Sequence, residues 1–383
     1  MPLFVLAHCG HHLLTALPLP LLPMIRSDFG LDYTQSGFVI SAFMLSYGIG
    51  QVPAGLLADR IGPRILITTG ILGVAVAGLL VGLSNTYLTM IVFLVLMGLL
   101  AGGYHPAAPP LISASVKPEN LGRALGLHMI GGGASFFLAP IMAAWIAATW
   151  GWRGPFVALS VPAAVVGIVL YVILGRRGLA KKSQPRAAPS QKDKAADQGR
   201  LSRLAYFIFL ATFTHAVLFS TMSFIPLFLV DHFLIPEATA AALIAVIYSA
   251  GLWVGPIGGY LSDRWGRVPV VLTVCFMTGP LIYLLNLAPY RWGIVALLLI
   301  MGVTIYVRMP VAEAYIVGRT SERHRSTVLG IYFFGNMEGG GVFAPIMGYL
   351  IDHLGFSATF TIAGATVVVI ALVCSVLLAK GHD

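Results

Sequence analysis

The segment GLLADRIG at Gly55–Gly62 returns as GYLSDRWG at Gly259–Gly266, 204 positions later when counted from 55 to 259. The same interval relates Gly151 to Gly355. A constant interval over so much of the chain is the signature of an internal repeat. The sequence therefore predicts two halves with equivalent folds.

The composition around these two segments is that of a membrane protein. Apolar residues make up 58% of the 383 residues, and charged residues only 10%, whereas a soluble domain carries about 25% charged residues. Apolar runs such as 65–83 and 360–379 approach the roughly 20 residues that a helix needs to cross a bilayer. We therefore expect an all-α integral membrane protein with twelve transmembrane helices in two pseudo-symmetric six-helix bundles. The predicted spans are 3–25, 35–58, 64–84, 87–115, 121–148, 153–175, 204–230, 237–261, 268–288, 292–317, 326–351 and 356–379.

The basic residues predict the orientation of these spans. With the N-terminus in the cytoplasm, most of the 23 lysine and arginine residues fall in cytoplasmic loops or in the C-terminal tail, as the positive-inside rule requires. The net charge of +9 thus marks the cytoplasmic face and does not indicate nucleic-acid binding. Residues 176–203 form the longest hydrophilic stretch, predicted as a cytoplasmic linker between bundles 1–175 and 204–383. We expect a multi-pass protein of the inner (plasma) membrane with both termini in the cytoplasm.

Segments that would indicate another class of protein are not found in the sequence. The first apolar run lacks a basic leader and is too long for a signal peptide, so it is expected to remain as the first span. Three cysteines in apolar surroundings imply no disulfide framework. No phosphate-binding P-loop is present, so ATP-driven transport is unsupported.

The repeated segment resembles the signature loop of the major facilitator superfamily. The residues from Gly55 to Arg64 are similar to the copy between spans two and three, and those from Gly259 to Arg267 to the second copy. This resemblance implies a secondary transporter that works by alternating access. Its cytoplasmic side would be gated by Gly55, Asp59, Arg60, Gly62, Arg64, Gly259, Asp263, Arg264, Gly266 and Arg267.

Physical chemistry suggests how the gate would work. Asp59 and Asp263 are predicted at the cytoplasmic ends of spans two and eight. A carboxylate there can face a helix N-terminus and pair with a nearby arginine, which would hold the cytoplasmic side shut in one state only. The alternative interpretation is a tight turn with charges that only set topology.

A looser resemblance links AHCGHH at Ala7–His12 and the span-four segment Gly103–Pro106 to fosmidomycin-resistance-type exporters. Two features of drug/proton antiporters in the superfamily are missing, however. Span four has no arginine, since Val92–Leu100 is apolar apart from Gly98, and the glycine motif of span five survives only around Ala139 and Pro140. Drug/proton antiport by that route is therefore not favoured.

Ionisable residues inside spans are rare and by default indicate a site that faces a cavity. His8 and His12 lie one helical turn apart, while His11 points about 100° away from His12 and is equivalent by repeat to His215. A metal chelate formed by His8 and His12 is one alternative. No acidic partner set accompanies them, so we predict no metal and no cofactor.

Spans four and ten carry the equivalent sequences Tyr104-His105-Pro106 and Arg308-Met309-Pro310. Each proline removes a backbone hydrogen bond and opens the helix, and opened helices near mid-membrane line transport sites. Arg308 lies about 16 Å from the cytoplasmic end and keeps its charge, so it needs an anion. Either Glu338 or an anionic substrate can supply it.

These patterns give two candidate sets. The predicted substrate-binding residues are His12, Tyr47, His105, His128, His215, Arg308, Tyr332 and Asn336. The predicted proton-coupling residues are His105, Glu313 and Glu338, although Glu313 could equally serve a structural pair.

The combined prediction is a secondary active transporter, not an enzyme, that moves a small organic solute of anionic or amphipathic character. Proton-coupled efflux is the first interpretation, and proton-coupled uptake of a small organic anion by symport is the alternative. A membrane-embedded metal-dependent protein that uses the span-one histidines is a further alternative. The expected partners are the small-molecule substrate, protons and lipid, and the protein is expected to be a monomer.

Overall fold

The computed structural model describes residues 1–117, 120–176, 198–289, 291–320 and 325–380. The predicted linker 176–203 falls largely outside these ranges. For Asp59 the description covers the backbone and does not include the side chain. The regular elements of the described chain are helices, and none of its residues forms a strand. The all-α prediction is therefore confirmed.

Helices α1 to α8 occupy the first half of the chain. Their bounds are Pro2–Thr15, Leu22–Phe29, Tyr33–Ile61, Pro63–Gly82, Tyr87–Ala101, Tyr104–Ser115, Leu121–Trp150 and Arg153–Arg176. Helices α9 to α14 follow, at Gln198–Phe233, Glu237–Ser249, Val254–Trp265, Arg267–Leu284, Trp292–Arg319 and Arg325–Lys380.

Among the described residues, eight helices are long and apolar enough to cross a bilayer, or nine if the bent pair of α10 and α11 counts as one span. The last of them, Val328–Ala379, consists of two helices that meet in a kink at Gly355, whose backbone is non-helical with φ 75° and ψ 170°. The twelve-span count therefore stays a prediction.

Three predicted spans are not continuous helices. The first stops at Thr15 and resumes at Leu22, because the intervening Pro18 and Pro20 cannot continue the hydrogen-bond ladder. The fourth is interrupted at Gly102 and Gly103. There the backbone of span two lies so close that a Cβ at Gly102 would stand 2.5 Å from the Gly50 carbonyl carbon. The eighth bends by 48° after a short 3-10 turn.

The internal repeat reappears in the backbone angles. Gly62 and Gly266 precede α4 and α12 with the same φ of 87° and with ψ of 145° and 154°. Gly151 and Gly355 form a second pair, with φ of 65° and 75°. These left-handed conformations are strained for any residue with a Cβ, so the glycines are needed at these four positions.

The chain folds into two compact units. The first contains α1 to α8 together with the end of α9 from Ile225 and the start of α10 up to Ala245. The second contains α9 up to Phe224 and the rest of the chain from Val246. The predicted bundle boundaries at 175 and 204 stay a prediction.

Glycine allows close helix packing inside each unit. A Cβ at Gly131 in α7 would stand 2.4 Å from the Val5 carbonyl oxygen in α1, and one at Gly339 in α14 would stand 2.5 Å from the Ala216 Cβ in α9. Within the two glycine runs, Gly131 and Gly339 thus serve helix packing, as small residues do in membrane proteins, whereas a Cβ at Gly133 would meet nothing within 4 Å.

Candidate substrate and ion sites in the two units

The first unit holds a cluster of five histidines contributed by three helices. His8, His11 and His12 come from α1, His105 from α6 and His128 from α7. All but His105 are buried, and His105 is half-buried. We call these five residues the histidine cluster. The sequence predicted three of them, His12, His105 and His128, for one site, and the structure brings them together.

The rings of the histidine cluster are in mutual contact. His8 stacks on His128 with ring centroids 4.1 Å apart, and its centroid lies 4.9 Å from that of His12. His105 is 5.3 Å from His12 and 5.6 Å from His8. His11 also joins the cluster, at 4.9 Å from His12, although helical spacing placed it on a different face.

Main-chain carbonyls orient two of these rings. His8 donates from Nδ1 to the His128 carbonyl oxygen at 2.8 Å, and His128 Nδ1 donates to the Phe4 carbonyl oxygen at 3.3 Å. His12 Nδ1 lies 3.2 Å from the Thr15 hydroxyl. Because a carbonyl can only accept, the Nδ1 atom of His8 carries the proton and its Nε2 lone pair is available.

Two tyrosines border the cluster. Tyr104 is fully buried and stacks on His11 at 4.6 Å, while Tyr47 lies 6.3 Å from His11 and 6.2 Å from His105. Within the described chain, neither hydroxyl has a hydrogen-bond partner, nor has either ring nitrogen of His11. The substrate-binding residues predicted from the sequence did not include Tyr104, His8 or His11. The adjacency of Tyr104 to His105 was the signal that could have included it.

The second unit contains a buried arginine on neutral oxygen atoms. Arg308 in α13 is 2% exposed and donates from Nη1 to the Ala211 carbonyl oxygen at 2.7 Å and to Asn336 Oδ1 at 3.5 Å. Asn336 in turn donates from Nδ2 to the Tyr332 carbonyl oxygen at 2.8 Å. Predicted residues Arg308, Asn336 and Tyr332 are therefore connected, while the predicted pairing of Arg308 with Glu338 stays a prediction.

Other predicted residues of the second unit lie in the same helices. Glu338 is buried in α14, Glu313 is half-buried in α13 and His215 is half-buried in α9. Buried polar atoms without a hydrogen-bond partner among the described residues include His215 Nδ1 and the Tyr332 hydroxyl. Their roles in substrate binding or proton coupling stay predictions.

Two of the predicted gating residues are anchored by hydrogen bonds. Arg64 donates to the Tyr171 carbonyl oxygen at 2.9 Å and lies 4.1 Å above the Tyr171 ring. Arg267 donates to the Ala314 carbonyl oxygen at 2.8 Å. In both copies of the signature loop, therefore, an arginine holds the loop against a helix of its own unit. Asp263 is exposed, and its latch role, like that of Asp59, stays a prediction.

Two ion pairs of the described residues lie at the predicted outer end of the first unit. Arg26 pairs with Asp231 and Arg153 with Asp28, each at 2.8 Å. Sequence reasoning missed both pairs, because each joins loop-side residues that are more than a hundred positions apart.

The histidine cluster lies beside the break in the fourth predicted span, whereas Arg308 lies in α13, which continues through Pro310. The predicted opening of span ten at Pro310 is therefore wrong. Comparisons with known proteins find transporters among the relatives of this chain. Multidrug resistance protein MdtG of Citrobacter koseri is 25% identical over 364 residues, which cover 92% of this chain and 88% of that protein. The hexuronate transporter of Bacillus subtilis is 21% identical over 372 residues, or 91% of this chain and 87% of that one.

A solved structure has the same fold. It is the crystal structure of a bacterial homolog to the human lysosomal transporter Spinster in an inward-facing and occupied conformation. Its TM-score is 0.78 at 16% identity, covering 99% of this chain and 95% of that chain. At this identity the likeness establishes the fold alone.

The family model agrees with the internal repeat. The model of the Major Facilitator Superfamily matches residues 4–246 and matches again over 207–382. Together the two matches extend over nearly the whole chain. The chain therefore belongs to the Major Facilitator Superfamily and is a multi-pass membrane protein that performs secondary transport.

Proposed function

We propose that the protein carries a small organic anion, or an amphipathic compound with an anionic group, out of the cell in exchange for protons. The observation that carries this proposal is Arg308, a 2% exposed guanidinium whose hydrogen bonds within the described chain go to two neutral oxygens. A guanidinium keeps its charge in proteins, and a buried charge is stable only when it is compensated. An anionic substrate would provide that compensation during transport.

The proposed arrangement has twelve spans in two six-helix bundles. The protein would lie in the plasma membrane as a monomer, with both termini in the cytoplasm. The length of α14 supports the count. Its 56 residues would extend about 84 Å as one helix, far more than the roughly 30 Å of hydrocarbon. Division at Gly355 would give two spans of ordinary length.

Proton coupling is proposed for Glu313, Glu338 and His105. Glu313 is one to two turns from Arg308 on the same helix, so protonation there would change the electrostatic environment of the bound anion. His105 stands where span four is opened, beside four other imidazoles, and imidazoles titrate near physiological pH in water. Transport would then follow the proton gradient.

The names of two relatives agree with the proposed direction of transport and with the proposed charge of the solute. MdtG is named for multidrug resistance, which agrees with efflux, and the Bacillus relative is named for hexuronates, which are organic anions. The alternative is uptake of an organic anion together with protons. The apolar and aromatic surroundings of the candidate residues favour efflux of an amphipathic compound.

Binding to the purified full-length protein tests the proposal first. Benzoate, D-glucuronate and octanoate serve as probes in calorimetry, and at least one should bind. Arg308→Ala should weaken its binding by roughly 30-fold or more, as expected when a partner of a buried charge is removed. Arg308→Lys should weaken it less. Arg319→Ala, at the exposed end of the same helix, is the matched control and should bind as the wild type does.

Vesicles then test direction and coupling. In energised everted membrane vesicles, addition of the bound anion should collapse the pH gradient if the protein exchanges it for protons. Anion accumulation in right-side-out vesicles under an inward proton gradient would instead establish the symport alternative. Unchanged binding by Arg308→Ala would contradict the anionic substrate and make this arginine structural.

A further inference from the structure

Three imidazoles of the histidine cluster are close enough to share a metal ion. One ring nitrogen from each of His8, His12 and His105 can be chosen so that all three atoms lie within 4.8 Å of one another. A tetrahedral zinc ion with bonds of about 2.0–2.1 Å would hold nitrogens roughly 3.4 Å apart. Small side-chain rotations would therefore complete the coordination.

We propose that His8, His12 and His105 form a binding site for a divalent transition-metal ion of the zinc class. Imidazole is a preferred ligand of zinc, copper, iron and nickel, whereas magnesium and calcium require oxygen ligands. Three protein ligands leave a fourth position for water or another donor, the arrangement of an open zinc site. The ion would link α1 to the start of α6, next to the break in the fourth predicted span.

The hydrogen bonds of the cluster leave the ligand atoms available. The proton that His8 Nδ1 donates to the His128 carbonyl leaves the Nε2 lone pair available to a metal, and such carbonyl partners commonly orient ligating histidines. His12 can also bind a metal through Nε2, because the Thr15 hydroxyl occupies its Nδ1 atom. Within the described residues, the hydrogen bonds of the His8, His12 and His128 rings go to carbonyls and to Thr15. None of them joins one imidazole to another.

A second observation concerns polar atoms that the fold leaves without a partner. His11 is 0% exposed, and neither of its ring nitrogens has a hydrogen bond among the described residues. A buried polar group without a partner costs free energy and calls for an explanation. Since His11 lies 4.9 Å from His12 and 6.0 Å from His105 by ring centroids, it adds unused ligand capacity next to the proposed site.

Backbone geometry makes room for the first ligand. A Cβ at Gly132 in α7 would lie 2.6 Å from His8 Cε1 and 2.9 Å from His8 Nε2. The glycine therefore allows the His8 ring to occupy its place between α1 and α7. Any side chain at position 132 would displace a ligand without removing it.

Calorimetry with Zn²⁺ tests the site in the full-length protein. The protein is purified with a cleavable tag other than polyhistidine and freed of metal with EDTA. We expect one Zn²⁺ per chain. Each of the variants His8→Gln, His12→Gln and His105→Gln should bind Zn²⁺ at least about 10-fold more weakly. Loss of a residue that only orients a ligand already weakens metal binding by about 10- to 100-fold, and loss of a ligand should cost no less. Gly132→Ala should also weaken binding. His353→Gln, which removes an exposed histidine bound to its own helix, is the matched control and should have no effect.

Two measurements on the wild-type protein test the zinc site even if a variant does not fold. Co²⁺ bound to the wild type should give the intense visible absorption of tetrahedral coordination, whereas the weak bands of octahedral Co²⁺ would count against the site. Zn²⁺ should also protect the three histidines from diethylpyrocarbonate, as read by mass spectrometry. Unprotected histidines, or Zn²⁺ affinity equal in wild type and folded histidine variants, would overturn the proposal.

Transport of radioactive zinc distinguishes two roles of the ion, a transported substrate and a resident ion. Accumulation of ⁶⁵Zn²⁺ inside proteoliposomes would identify the metal as cargo, and retention on the protein alone would identify it as a resident ion. Both results support the site. A bound metal ion would take the place of the proton-coupling role proposed for His105. Zinc binding does not depend on the anion at Arg308, however, so Arg308→Ala should leave Zn²⁺ binding unchanged.

Discussion

Arg26 in α2 and Asp231 in α9 form an ion pair at 2.8 Å, although 205 residues separate them in the chain. Tyr33 donates a hydrogen bond to the same carboxylate, and its ring lies 4.2 Å below the Arg26 guanidinium. The end of α9 is thereby held against the N-terminal helices at the predicted outer face. Both charged side chains are about a third exposed, at 28% and 30%.

The Arg26–Asp231 pair should make a small but measurable contribution to stability. Exposed ion pairs contribute about 0.2–1 kcal/mol, so a double-mutant cycle with Arg26→Gln and Asp231→Asn should give a coupling free energy in that range by thermal unfolding. The coupling should shrink at high salt because solvent ions screen it. Asp28→Asn, which removes the neighbouring pair with Arg153, should combine additively with Arg26→Gln. Zero coupling at low salt would contradict a stabilising role.

The repeated glycines at the signature loops should resist substitution. Gly62→Ala and Gly266→Ala place a Cβ at φ 87°, which should cost roughly 1–2 kcal/mol each. Gly126 and Gly330 are a further repeat pair, but they lie inside helices, and an added Cβ would have no atom within 4 Å. Gly126→Ala and Gly330→Ala should therefore stabilise by about 0.5–1 kcal/mol. Melting temperatures of the four purified variants check this, and equal effects in both pairs would refute it.

The latch prediction concerns the two aspartates of the signature loops. Asp59→Asn and Asp263→Asn keep the side-chain shape and remove the charge, so transport should fall while expression and melting temperature stay near wild type. A loss of about 1.4 kcal/mol in the closed state would change its population roughly tenfold. Asp352→Asn, an exposed aspartate at the predicted opposite face, is the control. Wild-type transport by both loop variants would mean that these charges only set topology.

Glu338 should determine how transport depends on pH. Glu338→Gln removes the carboxylate that the sequence predicts as the alternative to substrate for compensating Arg308, so anion binding should stay equal or become tighter. Transport by the variant should lose its dependence on pH, because one titrating group is gone. Calorimetry and vesicle transport at acidic and alkaline pH measure both effects, with Glu237→Gln as the control. Weaker anion binding together with unchanged pH dependence would exclude this role.

The sequence by itself determined the fold class, the repeat and the family. Apolar runs report directly on burial in lipid, and the two signature loops carry glycines whose left-handed backbone tolerates little else. Gly62 and Gly266 could therefore be paired from the sequence, and the structure gave them matching angles. The sequence also predicted Arg308 and Asn336 as candidate site residues, but their contact is a finding of the structure.

Tertiary structure alone decided which polar groups meet. Helical spacing separated His11 from His12, yet packing of α1 against α6 and α7 brought both rings into one histidine cluster with His105. The close approach of Gly50 to Gly102 joins two helices, and no local pattern reveals it. The Arg26–Asp231 pair joins residues 205 positions apart. Contacts of this kind depend on how helices pack, and periodicity along one helix carries no information about its neighbours.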